Sequence, residues 1–380
     1  MLIPRIDHEI NVGLFDYIVK QRLFNFFLLK GCVPPSKEHE LTNRIAKSNP
    51  WQKPVVVYGY DDTVTWQGDI FEAETKCTVT HNWGQVATTG AGNMAFFSRL
   101  PPIRSTPPHN PEPTREYNAS KTYISFIVGD GDNIAMVQDE RRHWMQQRVS
   151  MCNSGKGCWP LLWSMSPHLS YMAPEIMEWF YKQARNTGND YFVLPPSGHT
   201  YSYPSEQSEP DLSNFVRLTE EDAKLMGTSS TVAWEWFDSW HSALEKYFPK
   251  YAEKNILRSA YAVNVPYLFD TLVTWKYNFF NVFGSFVLFR PNEWRGTSGS
   301  IIPGAHDTML SAAEKASQIN NYARGTVTGI YLTSDGGINL LDLYDMVPAL
   351  DSHVEIVSHN VLADMALARA AIEEETAIVV

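Results

Sequence analysis

Tyr123-Ile124-Ser125-Phe126-Ile127-Val128 runs into Gly129-Asp130-Gly131-Asp132-Asn133. Further along, Tyr191-Phe192-Val193-Leu194 runs into Pro195-Pro196-Ser197-Gly198-His199-Thr200-Tyr201-Ser202-Tyr203-Pro204. Each apolar segment has the look of a buried strand whose end opens into polar, glycine-punctuated chain. In sheets of parallel strands, active sites are built at such ends. One end offers carboxylates and the other offers rings and hydroxyls, a pairing suited to a carbohydrate.

Around these two segments, strands and helices alternate. Strand patterns fall at Tyr123–Val128, Pro160–Ser166, Tyr191–Leu194, Ile256–Asn264, Phe286–Arg290, Gly329–Ser334 and His353–Ser358. Helical periodicity occupies Ala135–Val149, Ala173–Arg185, Ser239–Ala252 and Thr308–Ala323. This alternation predicts an α/β fold of parallel strands with crossover helices, and so many units favour a (β/α) TIM-barrel-like domain over an open sheet. Before it, residues 11–29 carry a helical apolar stripe and Lys53–Tyr60 a β-branched run ending at Asp61-Asp62. Residues 101–118 are rich in Pro, Thr and Asn and form a linker or long loop. The predicted division is an α/β portion over 1–117 and the barrel-like domain over 118–380.

The 380 residues, 44% hydrophobic and 19% charged, are enough for a packed core, as one barrel with added loops or as two domains. Aromatic residues reach 13%, which fits a Trp-rich core, a ring-lined cleft, or both. The net charge of −11 and the lack of a basic stripe exclude a nucleic-acid partner. The longest apolar run, near Phe279–Phe289, is broken by Asn281 and Gly284 and is too short for a membrane span. Charges interrupt the apolar residues of Met1–Asp7, so no signal peptide is expected there. Cys152 and Cys158 flank a polar loop that closes as a disulfide or holds two free thiols. Neither cysteine spacing nor histidine spacing supports a metal site, and no cofactor is expected. Asn118-Ala119-Ser120 is a glycosylation sequon.

Asp130 and Asp132 can share a site. Mutual repulsion then raises one pKa and divides the pair into acid and base. The plainer alternative is an Asx-turn that starts the next helix, with Asp132 or Asn133 as N-cap. If Gly198–Pro204 is extended, His199, Tyr201 and Tyr203 face one way and could stack on a sugar; otherwise they form a loop packed on the rim. Glu235, between Trp234 and Trp236, would have the raised pKa of a general acid, or else is a solvated residue at a helix start. Glu293 follows a strand and could accept sugar hydroxyls or pair with Arg290 or Arg295. Asp335 is explained by an Asp-Gly turn, and Asp61, Asp62, Glu72 and Glu74 have similar standing.

Gly198-His199-Thr200-Tyr201-Ser202-Tyr203-Pro204 resembles the signature of the GxGYxYP glycoside hydrolase family. Gly129-Asp130-Gly131-Asp132-Asn133 is similar to that family's Ser/Gly-Asp-Gly-Asp-Asn turn. Trp163-Ser164-Met165-Ser166-Pro167, Asn82-Trp83-Gly84 and Asn93–Ser98 are similar to further parts of it. The resemblance covers residues 50–360 and is tightest over 122–204. Thr200 stands where the signature has its second glycine. The resemblance implies a barrel-like fold, a carbohydrate substrate and export from the cell.

The expected function is hydrolysis of an oligo- or polysaccharide by carboxylates. Asp130, Asp132 and Glu235 are the catalytic candidates, and Asn133, Ser197, His199, Tyr201, Tyr203, Asp62 and Glu293 are the substrate-binding ones. Two other classes use the same residues: a metal-dependent carbohydrate deacetylase and a carbohydrate-binding protein without turnover. Sugar, linkage and oligomeric state are not encoded in any recognisable pattern.

Overall fold

The computed structural model describes residues 12–23, 36–48, 54–58, 83–86, 88, 91–102, 106–108, 112, 115–235, 239–263, 280–295, 306–307, 310–333 and 339–378. Helices α1 (Val12–Gln21) and α2 (Lys37–Ser48) precede strands β1 (Val55–Tyr58) and β2 (Trp83–Val86) and the single turn α3 (Met94–Phe97). Strand β3 (Thr122–Val128) leads into one continuous helix, α4. It is built of Ile134–Met136, a π-helical stretch Val137–Arg141, and Arg142–Asn153. There follow β4 (Leu161–Ser164), the short α5 (Leu169–Met172), α6 (Pro174–Thr187), β5 (Asp190–Val193), α7 (Asp211–Met226) and β6 (Ser230–Trp234). Helix α8 joins Trp240–Ser242, the π-helical Ala243–Tyr247 and Phe248–Lys254. The rest is β7 (Ser259–Val263), β8 (Phe280–Phe283), β9 (Phe286–Phe289), β10 (Asn292–Arg295), β11 (His306–Asp307), α9 (Ala312–Asn320), β12 (Val327–Leu332), α10 (Leu340–Met346), β13 (Val354–Ile356) and α11 (His359–Ile378).

The fold is mixed α/β with parallel sheets. One sheet has the order β11-β10-β12-β3-β4-β5, with β13 also on β3. A second has the order β6-β7-β9-β8, and β1 pairs with β2 apart from both. Among the described residues every ladder is parallel except β8–β9. Among the described residues a single bridge, Leu194 with Thr231, links the two larger sheets.

Strand β3 shows why the sequence settles this way. All seven of its residues are buried, as expected for a parallel strand covered on both faces. Ile124, Phe126 and Val128 point into an outer core shared with Trp144, Met145, Phe180 and Leu343 of the helices. Tyr123 and Ile127 point into an inner core with Val193, Val232, Tyr261, Phe289 and Tyr331. That inner core draws on both large sheets. Val361, Leu362 and Met365 of α11 fill its end nearest the strand starts. Gly329 makes room there, since an added Cβ would lie 3.1 Å from Tyr261.

Cys152 and Cys158 are disulfide-bonded, tying the end of α4 to the approach to β4. The strand ends gather Gly129–Asn133, Ser164–His168, Pro195–Tyr203 and Glu235 on one side of the parallel sheets. The chain around β2 and α3 docks there: Gln85 and Tyr201 exchange backbone hydrogen bonds of 2.8 and 2.9 Å. The Gln138 amide both donates to and accepts from the Gly92 backbone, at 2.8 Å each.

Candidate functional site

The turn after β3 is built by close approach. The Gly129 N–H donates to the Leu332 carbonyl at 2.7 Å. Asp130 is left-handed (φ 57°), a conformation aspartate tolerates better than most residues, and its N–H donates to the Tyr331 hydroxyl at 3.2 Å. Gly131 lies flat on the end of β4. Its N–H donates to Ser164 Oγ at 3.0 Å, and its carbonyl accepts the Ser166 N–H at 2.8 Å. A Cβ on Gly131 would sit 1.6 Å from the Ser164 carbonyl oxygen, which is backbone and cannot rotate away. Gly131→Ala is therefore expected to push the turn off β4, at a cost of roughly 1–3 kcal/mol or more. A melting curve and an activity assay on the same preparation check this, both falling together.

Arg141, almost fully buried on the π-helical part of α4, organises the carboxylates. Its Nε and Nη2 donate to the Gly129 carbonyl at 3.2 and 3.0 Å. Nη2 lies 3.6 Å from Asp130 Oδ2, and the guanidinium stands 4.5 Å from the Trp144 ring centre. Asp132 retains partial exposure. Its carboxyl is pushed up from 3.8 to about 7, first by burial and then by the charge of Asp130, while its own backbone N–H and Arg141 act in the opposite sense. The two aspartates thus hold different environments with one glycine between them. Asn133, expected to hold a sugar, spends its side chain otherwise: Oδ1 accepts the N–H groups of Ala135 and Met136 at 3.0 and 3.3 Å. It is the N-cap of α4.

The Gly198–Pro204 loop is not extended, so its three rings do not form one face. Gly198 has φ 109°, and a Cβ there would lie 2.4 Å from the Thr219 side chain. That glycine lets α7 approach and grip His199. The His199 N–H donates to Thr219 Oγ1 at 3.2 Å, and His199 Nδ1 lies 2.6 Å from Asp222 Oδ2. Burial raises the Asp222 carboxyl, while His199 opposes that shift. The neighbouring His168 donates from Nε2 to the His199 carbonyl at 2.9 Å. Burial and His199 lower its pKa to about 3, so it is neutral. Tyr201 goes the other way, with its ring 5.6 Å from Trp234 and 6.2 Å from Tyr203. Tyr203 and Ser197 are fully buried, which leaves them no surface for a substrate. Ser197 Oγ instead lies 2.7 Å from the Ser202 carbonyl and 2.8 Å from the Trp234 carbonyl, pinning the loop to β6. Thr200, in place of the signature glycine, is received by Gly84 of β2, where a Cβ would be 1.9 Å from Thr200 Oγ1.

Glu235 is neither solvated nor open to a ligand. It is 1% exposed. It accepts the Ser205 N–H at 3.0 Å, the Ser205 hydroxyl at 2.5 Å and the Ser239 hydroxyl at 3.1 Å. Burial outweighs these donors and raises its pKa from 4.5 to about 8. A raised folded-state value stabilises the fold below the ordinary value of 4.5, and that contribution is lost as pH climbs through about 8. Glu235→Gln keeps the hydrogen-bonding shape and removes the titration. Urea midpoints measured between pH 5 and 8 are expected to fall less steeply in the variant than in the parent chain.

Glu293 follows β9, as expected, and lies within the next strand, β10. It is buried and stands in register with Tyr331. Tyr331 belongs to the inner core, whereas the next residue, Trp294, belongs to the outer one. Glu293 therefore faces inward. Asp62 lies outside the described residues, as do Asp61, Glu72, Glu74 and Asp335. Among the described residues no group of three or more His, Cys, Asp or Glu is placed to hold a metal ion. No helix among them is long and apolar enough to cross a membrane. Asp222 and Thr219 were not foreseen. Both lie in a strongly acidic stretch, Thr219-Glu220-Glu221-Asp222, where no residue stands out.

Comparison with known proteins agrees with this architecture. A crystal structure described as a putative hydrolase from Bacteroides thetaiotaomicron VPI-5482 is similar, with TM-score 0.66 and 20% identity over 93% of this chain and 63% of that one. The chain thus spans less than two thirds of that protein's length. A 4-alpha-glucanotransferase from Thermococcus litoralis is similar over 64% of this chain and 40% of that one, with 8% identity and TM-score 0.43. No curated protein matches. The family described as GxGYxYP putative glycoside hydrolase C-terminal domain matches residues 120–367. That span holds both the Gly129–Asn133 turn and the Gly198–Pro204 loop, and the chain belongs to the GxGYxYP putative glycoside hydrolase family.

Proposed function

We propose that this chain hydrolyses an oligo- or polysaccharide, with Asp132 as proton donor to the leaving oxygen. The observation that carries the reading is the Asp130–Asp132 turn. One carboxyl is held near a pKa of about 7 by burial and a neighbouring charge; the other is ion-paired with buried Arg141. A general acid needs a pKa close to working pH, and enzymes obtain it by such means. Glu293 is the candidate second carboxylate, because it faces the same interior beside Tyr331, whose hydroxyl accepts the Asp130 N–H. Glu235 is assigned the role of a buried strut that joins the Ser205 turn to β6. His199, held by Asp222 and Thr219, and Tyr201 against Trp234 are the sugar-contacting candidates.

In this reading the two large sheets close on each other as an irregular (β/α) barrel whose mouth is the site. Supporting it, the inner core unites both sheets, and Leu194 bridges to Thr231. The continuous segment from β9 to β10 pairs with β7 through its first half and β12 through its second. The proposed division assigns residues 118–380 to the barrel and 1–117 to a separate portion, of which the chain around β2 and α3 docks at the mouth.

A panel of chromogenic glycosides and natural glycans tests the function, with Asp130→Ala as the blank. Release of reducing sugar by the parent chain and none by the variant supports it. Release of acetate from acetylated glycans instead, or binding with no product of any kind, rejects it.

A further inference from the structure

We propose that a groove on the helical surface, between α4, α6 and the docked α3, is a second carbohydrate site that holds a neutral sugar unit of a longer glycan. The groove has a volume of about 360 Å³ and is lined by Phe97 of α3, Gln138 and Arg142 of α4, and Glu175, Ile176 and Trp179 of α6. That volume is on the scale of small-ligand pockets, about 300–1,000 Å³. A lasting protein contact needs roughly 1,200 Å² or more of buried surface, which six residues do not supply.

The lining identifies the class of ligand. It pairs one arginine with one glutamate, both exposed, so it carries no net charge and has no preference for phosphate or for a cationic group. Trp179 and Phe97 supply aromatic rings, which suit the C–H groups of a sugar. Arg142 and Glu175 supply a donor and an acceptor for hydroxyls. A molecule with apolar faces, many hydroxyls and no charge matches all of these together.

The walls are pre-formed. Gln138 is held by both of its bonds to Gly92, and the Arg142 Nε donates to the Gln138 carbonyl at 3.1 Å. Trp179 packs edge-on against the buried Phe180, with ring centres 4.9 Å apart. The groove also shares α4 with the candidate site. Asn133 caps that helix beside Asp132, and Gln138 lies about 7–8 Å further along its axis. One rigid helix therefore joins the two places, and a glycan of several units could lie along it from one to the other.

The inference rests on the glycan reading above, and its test separates the two. Asp132→Asn protein is titrated calorimetrically with neutral malto-, cello-, xylo- and manno-oligosaccharides of two to seven units. Trp179→Ala, added to that background, is expected to weaken binding of the longer chains at least tenfold. In the active protein, Trp179→Ala is expected to raise KM for the long glycan several-fold, leaving its kcat and the hydrolysis of an aryl monosaccharide unchanged. Should Trp179→Ala not fold, Arg142→Ala and Glu175→Ala at the exposed rim give the same readout. Unchanged affinity and KM in these variants overturn the groove proposal and leave the hydrolase reading standing. Binding that depends on Trp179, with no hydrolysis of any glycan by the parent chain, does the reverse. A concentration-dependent dimer dissolved by Trp179→Ala would assign the groove to a second copy of the chain and also overturn the proposal.

Discussion

Asp132→Asn is expected to lower glycan hydrolysis by roughly 10²–10⁴-fold, the usual contribution of a positioned general acid, while leaving the fold intact. The amide replaces the carboxyl without changing its volume, so the Gly129–Asn133 turn keeps its bonds to Ser164, Ser166 and Leu332. The same substitution should stabilise the protein at alkaline pH. The Asp132 carboxyl titrates near 7 in the fold and near its ordinary 3.8 when unfolded. Between these values the folded state binds more protons than the unfolded one. Stability from this group is therefore complete below about pH 4 and is lost as pH rises through about 7. An amide does not ionise and escapes that loss. Melting temperatures of parent and variant are expected to lie closest at about pH 4 and below, to diverge in the variant's favour as pH rises from about 4 to about 7, and to stay that far apart above it. A general acid must be protonated to act, so parent activity should fall over the same rise. A variant that is inactive but less stable at pH 8 would mean that Asp132 holds the turn together and is not strained within it.

Asp190→Ala is expected to cost about 3–5 kcal/mol of stability, because it leaves a buried arginine without its counter-charge. Asp190 and Arg148 are both fully buried. Arg148 Nε stands 3.2 and 3.4 Å from the two carboxylate oxygens, Trp163 Nε1 donates to one of them at 2.8 Å, and the Thr187 hydroxyl donates to the other. Arg148 also donates to the Tyr344 hydroxyl at 3.0 Å and to the Trp159 carbonyl. The network joins α4, the start of β5, β4 and α10. None of these groups reaches the strand ends, so the variant should lose stability without a change in substrate preference. Replacing both charges together, as Arg148→Met with Asp190→Leu, should recover much of the loss, since removal of a whole buried pair is often near neutral. Urea unfolding of the single and double variants checks this. A loss below 1 kcal/mol in the single variant would contradict it.

The strands were readable wherever burial on both faces left a continuous apolar run. Tyr123–Val128, Tyr191–Leu194 and Phe286–Arg290 each lie within a residue or so of the strands found. β6 escaped because its sequence, Ser-Thr-Val-Ala-Trp, opens on two polar residues. In the fold both are fully buried, and Ser230 Oγ satisfies Ser259 Oγ at 2.5 Å, a partner known only once β7 lies alongside. α7 escaped because its acidic surface outweighs the buried stripe of Leu212, Phe215, Val216 and Ala223. Its loss also hid Asp222, and with it the reason His199 is placed as it is. The Gly-Asp-Gly-Asp-Asn turn was readable because glycines and carboxylates at that spacing have few uses. Which carboxyl faces the interior was not, because Glu235 and Glu293 differ only in long-range packing. Trp234 and Trp236 beside Glu235 signalled burial correctly, but they could not signal that Ser205 and Ser239 would occupy its oxygens.

The proposed proton-donor role of Asp132 is tested most directly by varying the leaving group. Kinetics of Asp132→Asn are compared on a natural glycan and on a dinitrophenyl glycoside of the same sugar, whose leaving group departs without protonation. A proton donor at this position predicts a loss of roughly 10²–10⁴-fold on the glycan and little loss on the aryl glycoside. Equal losses on both substrates would contradict it.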